Sequence, residues 1–257
     1  MRLDLELVSR GLANTRSKAQ ETIKNGHVYL NGKLVTKNSL LVRADDTLTL
    51  DNDVLKYVSR AGLKLEKAID TFGIILKNKV MCDIGSSTGG FTDCALQNEI
   101  EKVIAIDVGT NQLDEKLKLN SKVQLYENMD FRNVDVNILN GVDIITMDVS
   151  FISVKKLMSK IFEVNNIKEI VCLIKPQFEC GKEIADKYKG IVLDKNVHNS
   201  VIKDIIDSFN DIGFYAQGLT YSPIKGGSGN IEYLLYLNKD MPKTININQI
   251  INEAFKL

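Results

Sequence analysis

The stretch Asp83-Ile-Gly-Ser-Ser-Thr-Gly-Gly-Phe-Thr-Asp93 carries the densest set of residues that could do chemistry. A short apolar run ends in Asp83. Small residues follow through Gly85, Ser86, Ser87, Thr88, Gly89 and Gly90, and a helical pattern starts at Phe91. Glycine lets a backbone turn sharply and come close to a ligand. The turn also leaves N–H groups at a helix start, where an anionic or polar cofactor group binds. One Gly-rich loop is a weak signal. Here Val103-Ile-Ala-Ile-Asp107 reads as a second buried strand. Its acid falls roughly twenty residues past the loop, where a carboxylate can take both hydroxyls of a ribose. The pair implies a nucleoside cofactor. The dinucleotide pattern Gly-x-Gly-x-x-Gly is not met, because the second glycine is missing at that spacing. Asp83 could instead receive the ammonium of a methionine moiety.

More charge gathers further along. Val123-Gln-Leu-Tyr reads as a third strand and is followed by Asp130 and Phe131. That acid and ring suit an adenine amino group and base, although an ordinary loop fits the same residues. Val142-Asp-Ile-Ile-Thr-Met-Asp148 is a fourth strand ending in an acid, and Glu169-Ile-Val-Cys-Leu-Ile is a fifth ending in Lys175-Pro176. In an open α/β sheet, ligands collect at the carboxyl ends of the strands. Asp83, Asp107, Asp130 and Asp148 all fall at or just past such ends, and Lys175 points into the same crevice. Val108 and the polar residues after it border either an adenine or solvent. Lys64 alone reads as a solvated helix residue, and Glu232 alone as an edge-strand charge.

The elements that must hold these groups alternate strand and helix, which argues for a doubly wound, mostly parallel sheet. Tyr215-Ala-Gln-Gly-Leu-Thr-Tyr and Asn230-Ile-Glu-Tyr-Leu-Leu-Tyr-Leu are joined directly by a Pro/Gly loop, so they predict an antiparallel pair at one sheet edge. Helices are expected from Ser59, with Leu63, Ile69 and Phe72 on one face, around Val197–Gly213, and in the amphipathic tail from Ile245. The chain has 257 residues, 44% hydrophobic, enough for one sizeable core and a small satellite. Its 33 basic and 33 acidic side chains balance, so nucleic-acid affinity must come from local patches. Four cysteines without Cys-x-x-Cys spacing and two histidines argue against zinc, and no metal is expected. No apolar run approaches the ~18 residues of a membrane span. With buried-looking cysteines and no secretion signal, a cytoplasmic protein is expected.

The first sixty residues predict helix, helix, hairpin and strand. Thr15 or Asn14 would cap a helix from Arg16 that stops at Gly26, the Asn31-Gly32 turn marks the hairpin, and Asp46–Leu50 is the last strand. Arg2-Leu-Asp, Gly11-Leu-Ala, Thr15-Arg16, Ala19, Ile23, Gly26-His-Val and Asn31-Gly32 resemble the S-four RNA-binding domain. The resemblance implies RNA contacts for Arg16, Lys18 and Lys24 and, by extension, Arg10, Lys33 and Lys37. Arg2-Leu-Asp4 also copies a tripeptide that holds the nucleophile of pseudouridine synthases. The surrounding pattern of those enzymes is absent, and Asp4 is read as an acid favourably placed at a helix N-terminus. The segment is expected to span residues 1–58, including a short polar linker from Asp51, and the catalytic domain 59–257.

The loop from Asp83 resembles the first motif of S-adenosylmethionine (AdoMet) methyltransferases. Lys64, Asp148, Lys175 and Glu232, in that order and context, resemble the Lys–Asp–Lys–Glu set of FtsJ-type ribose methyltransferases. The match is closer still to the TlyA family, carried by Tyr57-Val-Ser-Arg-Ala-Gly-Leu-Lys-Leu, Asp148-Val-Ser-Phe-Ile-Ser, Ile174-Lys-Pro-Gln-Phe-Glu and Ser222-Pro-Ile-Lys-Gly-Gly-Ser-Gly-Asn-Ile-Glu. Ala61 stands where glycine is common, and Thr110-Asn111 where Tyr-Gly is common. The resemblance implies a seven-stranded AdoMet-methyltransferase sheet, AdoMet as cofactor and ribosomal RNA as partner. It implies 2′-O-methylation of cytidine in the large subunit, in some members also the small, and a link to capreomycin-type antibiotics. In this scheme Lys175 is the base, since a desolvated lysine beside other cations loses its proton more readily. Asp148 orients Lys175, Lys64 positions the hydroxyl, and Glu232 holds Lys64. The family also carries a haemolysin label. The competing readings are a membrane-active haemolysin and an RNA-binding protein without catalysis. A monomer is expected.

Overall fold

The computed structural model describes the chain except residues 14, 25, 51–55, 227 and 228 and the side chains at 21 and 24. It divides into two compact units, Met1–Lys56 and Tyr57–Leu257. The expected linker begins at Asp51, and its first five residues lie outside the described residues.

In the first unit, helices α1 (Leu3–Ser9) and α2 (Arg16–Lys24) precede strands β1 (Val28–Leu30), β2 (Lys33–Val35) and β3 (Leu48–Leu50). The sheet order is β2-β1-β3, all antiparallel, with Leu30 opposite Lys33 and Val28 opposite Leu50. Only Asn31 and Gly32 connect β1 to β2, and both have positive φ (50° and 76°), the geometry a two-residue hairpin needs. Thr15 Oγ1 accepts the Lys18 N–H at 3.2 Å and so supplies the start of α2; the other candidate cap, Asn14, is outside the described residues. The strand expected from Asp46 starts only at Leu48. Asp46 accepts hydrogen bonds from the Arg43 N–H (2.9 Å) and Asn31 Nδ2 (2.8 Å), which makes it a turn residue. Leu3, Leu7, Ala19, Ile23, Val28, Val42 and Leu48 form a small core.

The second unit is built on seven strands, β4 (Val80–Ile84), β5 (Lys102–Ile106), β6 (Val123–Tyr126), β7 (Ile144–Met147), β8 (Glu169–Ile174), β9 (Tyr215–Tyr221) and β10 (Tyr233–Asn238). Their order is β6-β5-β4-β7-β8-β10-β9. The first five pair in parallel, and β10 runs antiparallel to both neighbours. The longer helices are α3 (Ala61–Phe72), α4 (Gly90–Gln97), α5 (Lys195–Asn210) and α6 (Ile247–Ala254). Alternate residues of the inner strands enter opposite cores: Met81, Val103 and Ala105 one, Cys82, Ile104 and Ile106 the other. Burial on both faces is why these strands read as continuous apolar runs. The Asp194 side chain accepts the Asn196 N–H at 2.8 Å, so α5 begins at Lys195 and ends at Asn210, earlier than its periodicity suggests. The tail docks through Ile251 and Ala254, both buried.

After β4 the chain builds β5 and β6 on one side, then returns to place β7 on the other. The crevice outside the carboxyl ends of β4 and β7 is therefore the topological switch point where such sheets bind ligands.

Candidate active site

A cleft of about 450 Å³ opens at that switch point. Gly85, Ser87, Asp107, Val108, Asp130, Phe131 and Asp148 line it, together with Gly109, Gln112, Met129, Val149, Ile152 and Leu157. The cleft floor depends on Gly85. Its φ is +79°, and a Cβ there would lie 2.8 Å from the Asp148 carbonyl oxygen. Asp107 at the end of β5 accepts the N–H groups of Ser87 (2.8 Å) and Gly109 (2.7 Å), which fixes the loop and the carboxylate to each other. Each of its oxygens keeps a lone pair for a ribose hydroxyl. Asp130 is held by Arg132, whose hydrogen bonds keep its carboxyl below the ordinary range. Phe131 is buried at the cleft wall. Ser86 Oγ is buried without a hydrogen-bond partner, the condition of a group that a ligand or water satisfies. A ribose-competent acid in Asp107, a second acid in Asp130, an apolar wall and a floor kept open by Gly85 fit a nucleoside.

Beside this cleft lies a second cavity of about 770 Å³, which shares Gly85, Ser87, Asp148, Ser150 and Phe151 with the first. Lys64, Asp148, Lys175 and Glu232 all line it. Lys64 rises from α3, Asp148 follows β7, Lys175 follows β8, and Glu232 precedes β10. Lys175 Nζ is 2.6 Å from Asp148 Oδ1 and donates to Ser150 Oγ at 2.9 Å. Lys64 Nζ is 3.3 Å from Asp148 Oδ2 and 2.8 Å from Glu232 Oε2, the latter a contact without hydrogen-bond alignment. The cluster holds two cations and two carboxylates. Burial alone would push the Lys64 amine down, but Asp148 and Glu232 outweigh it and hold it above its ordinary value. Burial likewise favours a neutral Asp148, and the charges of Lys64 and Lys175 reverse the balance and lower it. A carboxylate shared by both cavities, between two ammonium groups, is built to orient a hydroxyl brought in from one side toward a donor lying in the other.

Residues 57–239 match the FtsJ-like methyltransferases, and residues 1–48 match the S4 domain. The chain belongs to the FtsJ-like methyltransferase family. It is similar to hemolysin A of Brachyspira hyodysenteriae, 43% identical over 92% of this chain and 99% of that protein. It is also similar to the 23S rRNA (cytidine-2'-O)-methyltransferase TlyA of Campylobacter jejuni, 39% identical over 93% of this chain and 100% of that protein. A solved structure from Streptococcus thermophilus, named there as a hemolysin, superposes with a TM-score of 0.79 at 36% identity, covering 100% of this chain and 96% of that one. The cofactor of this FtsJ-like enzyme is AdoMet.

Six loop residues expected at the cofactor are not among those lining its cleft. Asp83 is fully buried, and its oxygens accept from Thr92 Oγ1 (2.7 Å) and Thr146 Oγ1 (3.0 Å), so it braces the loop from beneath. Burial pushes its carboxyl up to about 6 against those two hydrogen bonds. Ser86 lies inside the loop, and the Thr88 carbonyl accepts the Asp114 N–H. Gly89 packs on Leu113 and Leu117, and Phe91 belongs to the core under α3 and α4. At Gly90 a Cβ would fall 2.4 Å from Ser59 Oγ and 2.8 Å from Ala61 Cβ. That glycine lets α4 meet the start of α3 and so sets the height of Lys64. Gln112, one of the polar residues after Val108 that border adenine or solvent, lines the cleft, and Ser150 and Phe151, which have no role assigned from the sequence, line both cavities. They follow strands in segments without periodicity, although Ser150 and Phe151 lie within two and three residues of Asp148. Phe151 has φ +65° and is 91% exposed at the rim of both cavities.

In the first unit, Asp4 is completely buried. It pairs with Arg2 (3.0 Å) and Arg16 (3.0 Å) and accepts from Gln20 Nε2 (2.7 Å), and the Arg2 hydrogen bonds above all hold it well below the carboxylate range. It sits in the first turn of α1, as expected, and is also a buried hub. Arg10 is tied to Glu6 (2.9 Å) and to the carbonyls of Asp46 (2.7 Å) and Arg43 (3.1 Å). Lys33 and Lys37 are exposed, Lys18 is half-buried, and the Lys24 side chain lies outside the described residues. Among the described residues, no cluster of three His, Cys, Asp or Glu could hold a metal, and no helix is long and apolar enough to cross a membrane.

Proposed function

We propose that the protein transfers a methyl group from AdoMet to the ribose 2′-hydroxyl of a cytidine in large-subunit ribosomal RNA. The observation that carries the reading is the neutral Lys64–Asp148–Lys175–Glu232 cluster, set where the cofactor cleft meets the second cavity. The relatives named as rRNA cytidine-2'-O-methyltransferases support the substrate. When bound, AdoMet supplies an electrophilic methyl on a sulfonium. Gly85, Asp107, Asp130 and Phe131 would hold its nucleoside part, and the Asp148 end of the cleft the reactive part.

A ribose hydroxyl is a very weak acid and needs a base and a fixed direction. Lys175, aligned by Asp148 and Ser150, takes the hydroxyl proton after its ammonium has released its own proton to solvent. Lys64, fixed by Glu232, sits beside the oxygen and stabilises its developing negative charge. By fixing the direction of the oxygen toward the cofactor cleft, these side chains would remove much of the orientational barrier. The first unit, with Arg16, Lys18, Lys33 and Lys37, brings the RNA by phosphate contact. The enzyme acts in the cytoplasm as a monomer.

The test is a nuclease digest of ribosomal RNA from cells with and without the gene, read by mass spectrometry for 2′-O-methylcytidine. Loss of one such nucleotide, restored by the native protein and not by Lys175→Ala, supports the reading; an unchanged digest rejects it. The haemolysin names of relatives favour a second reading, direct membrane damage. Vesicle leakage caused equally by the native protein and by Lys175→Ala would support that second reading instead.

A further inference from the structure

The second cavity has two banks from distant parts of the chain. Ala185, Asp186, Lys189 and Gly190 form one, on the segment between β8 and α5. Gly226, Asn230 and Glu232 form the other, on the approach to β10. Asn230 ties the banks together. It is 2% exposed. Its Oδ1 accepts the Val192 N–H at 3.0 Å, and its Nδ2 donates to the Gly190 carbonyl at 2.7 Å. Its own carbonyl accepts the Gly226 N–H at 2.9 Å, so the amide projects from a fixed backbone.

His198 on α5 grips the same segment. Its Nε2 is 2.9 Å from the Val192 carbonyl oxygen and its Nδ1 is 2.7 Å from Tyr233 Oη. A carbonyl can only accept, so Nε2 carries the hydrogen and the Tyr233 hydroxyl donates to Nδ1. Tyr233 follows Glu232 directly. Asn230, His198, Tyr233 and Val192 are all buried. Lys189 (φ 51°) and Gly190 (φ 78°) turn the segment sharply where it is moored. The Ala185–Gly190 bank has no strand of its own, and these side-chain bonds hold it to the sheet.

We propose that Asn230 is a positioning residue for the RNA acceptor. Through Gly190 and Val192 its amide sets the Ala185–Gly190 bank against Glu232, and thereby the width of the cavity that receives the target nucleotide. The proposal rests on the ribose methyltransferase reading given above. An amide is the side chain that offers one acceptor and one donor to an N–H and a carbonyl two residues apart. A carboxylate at the same place would set oxygen against the Gly190 oxygen.

The test compares native full-length protein with Asn230→Ala, Asn230→Asp and His198→Gln, using ribosomal RNA and tritiated AdoMet. Asn230→Ala should raise the RNA KM by about tenfold while kcat falls less than about threefold and AdoMet affinity stays within about twofold. Trypsin should cut after Lys187 or Lys189 roughly ten times faster, because the bank opens locally. Asn230→Asp should be at least as impaired as Asn230→Ala. His198→Gln, which leaves the Asn230 bonds in place, should show a smaller shift in the same direction. Unchanged KM in both Asn230 variants, with trypsin cutting faster, would overturn the positioning role. Equal loss of kcat, RNA affinity and AdoMet affinity would also overturn it, since that marks general unfolding. Should Asn230→Ala fail to fold, the KM shift in His198→Gln decides. A native protein that methylates no RNA, with the bank still opening in the variants, would reject the methyltransferase reading and leave the mooring intact.

Discussion

Replacing Lys175 by methionine keeps most of the aliphatic stem and removes the ammonium. The lost group lies 2.6 Å from Asp148 Oδ1 and 2.9 Å from Ser150 Oγ. Asp148 is then left with Lys64, 3.3 Å away, which also faces Glu232 at 2.8 Å. The cluster passes from two charges of each sign to one cation against two carboxylates. Removing one partner of a buried pair typically costs about 3–5 kcal/mol. The Lys175 and Asp148 side chains are 7% and 13% exposed, so the expected loss is at the low end, about 3 kcal/mol. Loss of a general base should slow transfer by about 10²–10⁴, which is roughly 3–5 kcal/mol of barrier. AdoMet affinity should change by less than about threefold, because Asp148 keeps its charge at the junction and the donor is itself a cation. The assays are incorporation of tritiated methyl into ribosomal RNA, calorimetric titration with AdoMet, and a denaturant melt. The double variant Lys175→Met, Asp148→Asn should recover part of the lost stability and none of the activity. Full activity in Lys175→Met, or loss of AdoMet binding in step with activity, refutes the assignment.

Four further outcomes follow from the geometry. Gly85→Ala should weaken AdoMet binding at least about tenfold, since the new methyl meets the Asp148 carbonyl oxygen at 2.8 Å in a left-handed backbone; calorimetry measures it. Asp4→Ala leaves Arg2 and Arg16 without their shared carboxylate and should destabilise the first unit by about 2–4 kcal/mol in a urea melt. Arg16→Ala with Lys18→Ala should weaken RNA binding and flatten its log–log salt slope by about one per lost phosphate contact; an unchanged slope with weaker binding would point to Asp4 and stability instead. Asp83 is raised in the folded state from 3.8 to about 6, so its contribution to stability is complete below about 3.8 and lost as pH rises through about 6. Asp83→Asn should therefore remove a fall on the order of 3 kcal/mol between those pH values, and a slope unchanged by the substitution contradicts it.

The strands were legible because burial on both sheet faces writes unbroken apolar runs, and their ends were legible because an acid or Lys-Pro stops each run. Those ends carry Asp107 and Asp130 to the first cleft, Lys175 to the adjoining cavity and Asp148 to both. Spacing could not separate Asp83 from the other three acids. Its distinction is two threonine hydroxyls, one on a helix and one on a neighbouring strand, and such partners are set by packing. The same holds for Arg10 and Arg16, whose charges look like a basic helix face until Glu6 and Asp4 fold against them. Ser150, Phe151 and Gln112 sit in irregular segments, where no period announces which way a side chain points. Glu232 was the reverse case. Its edge-strand appearance is ordinary, and only the inward placement of β10 brings it to Lys64.

That inward placement bears on synthesis. β10 is the last strand of the sheet in chain order, yet it slots between β8 and β9, and Glu232 just before it is the last of the four charged groups. A nascent or truncated chain ending before it would leave β8 and β9 unjoined and two lysines sharing the single carboxylate of Asp148. The cluster is thus completed by the last strand in chain order, and a chain cut before Glu232 lacks it.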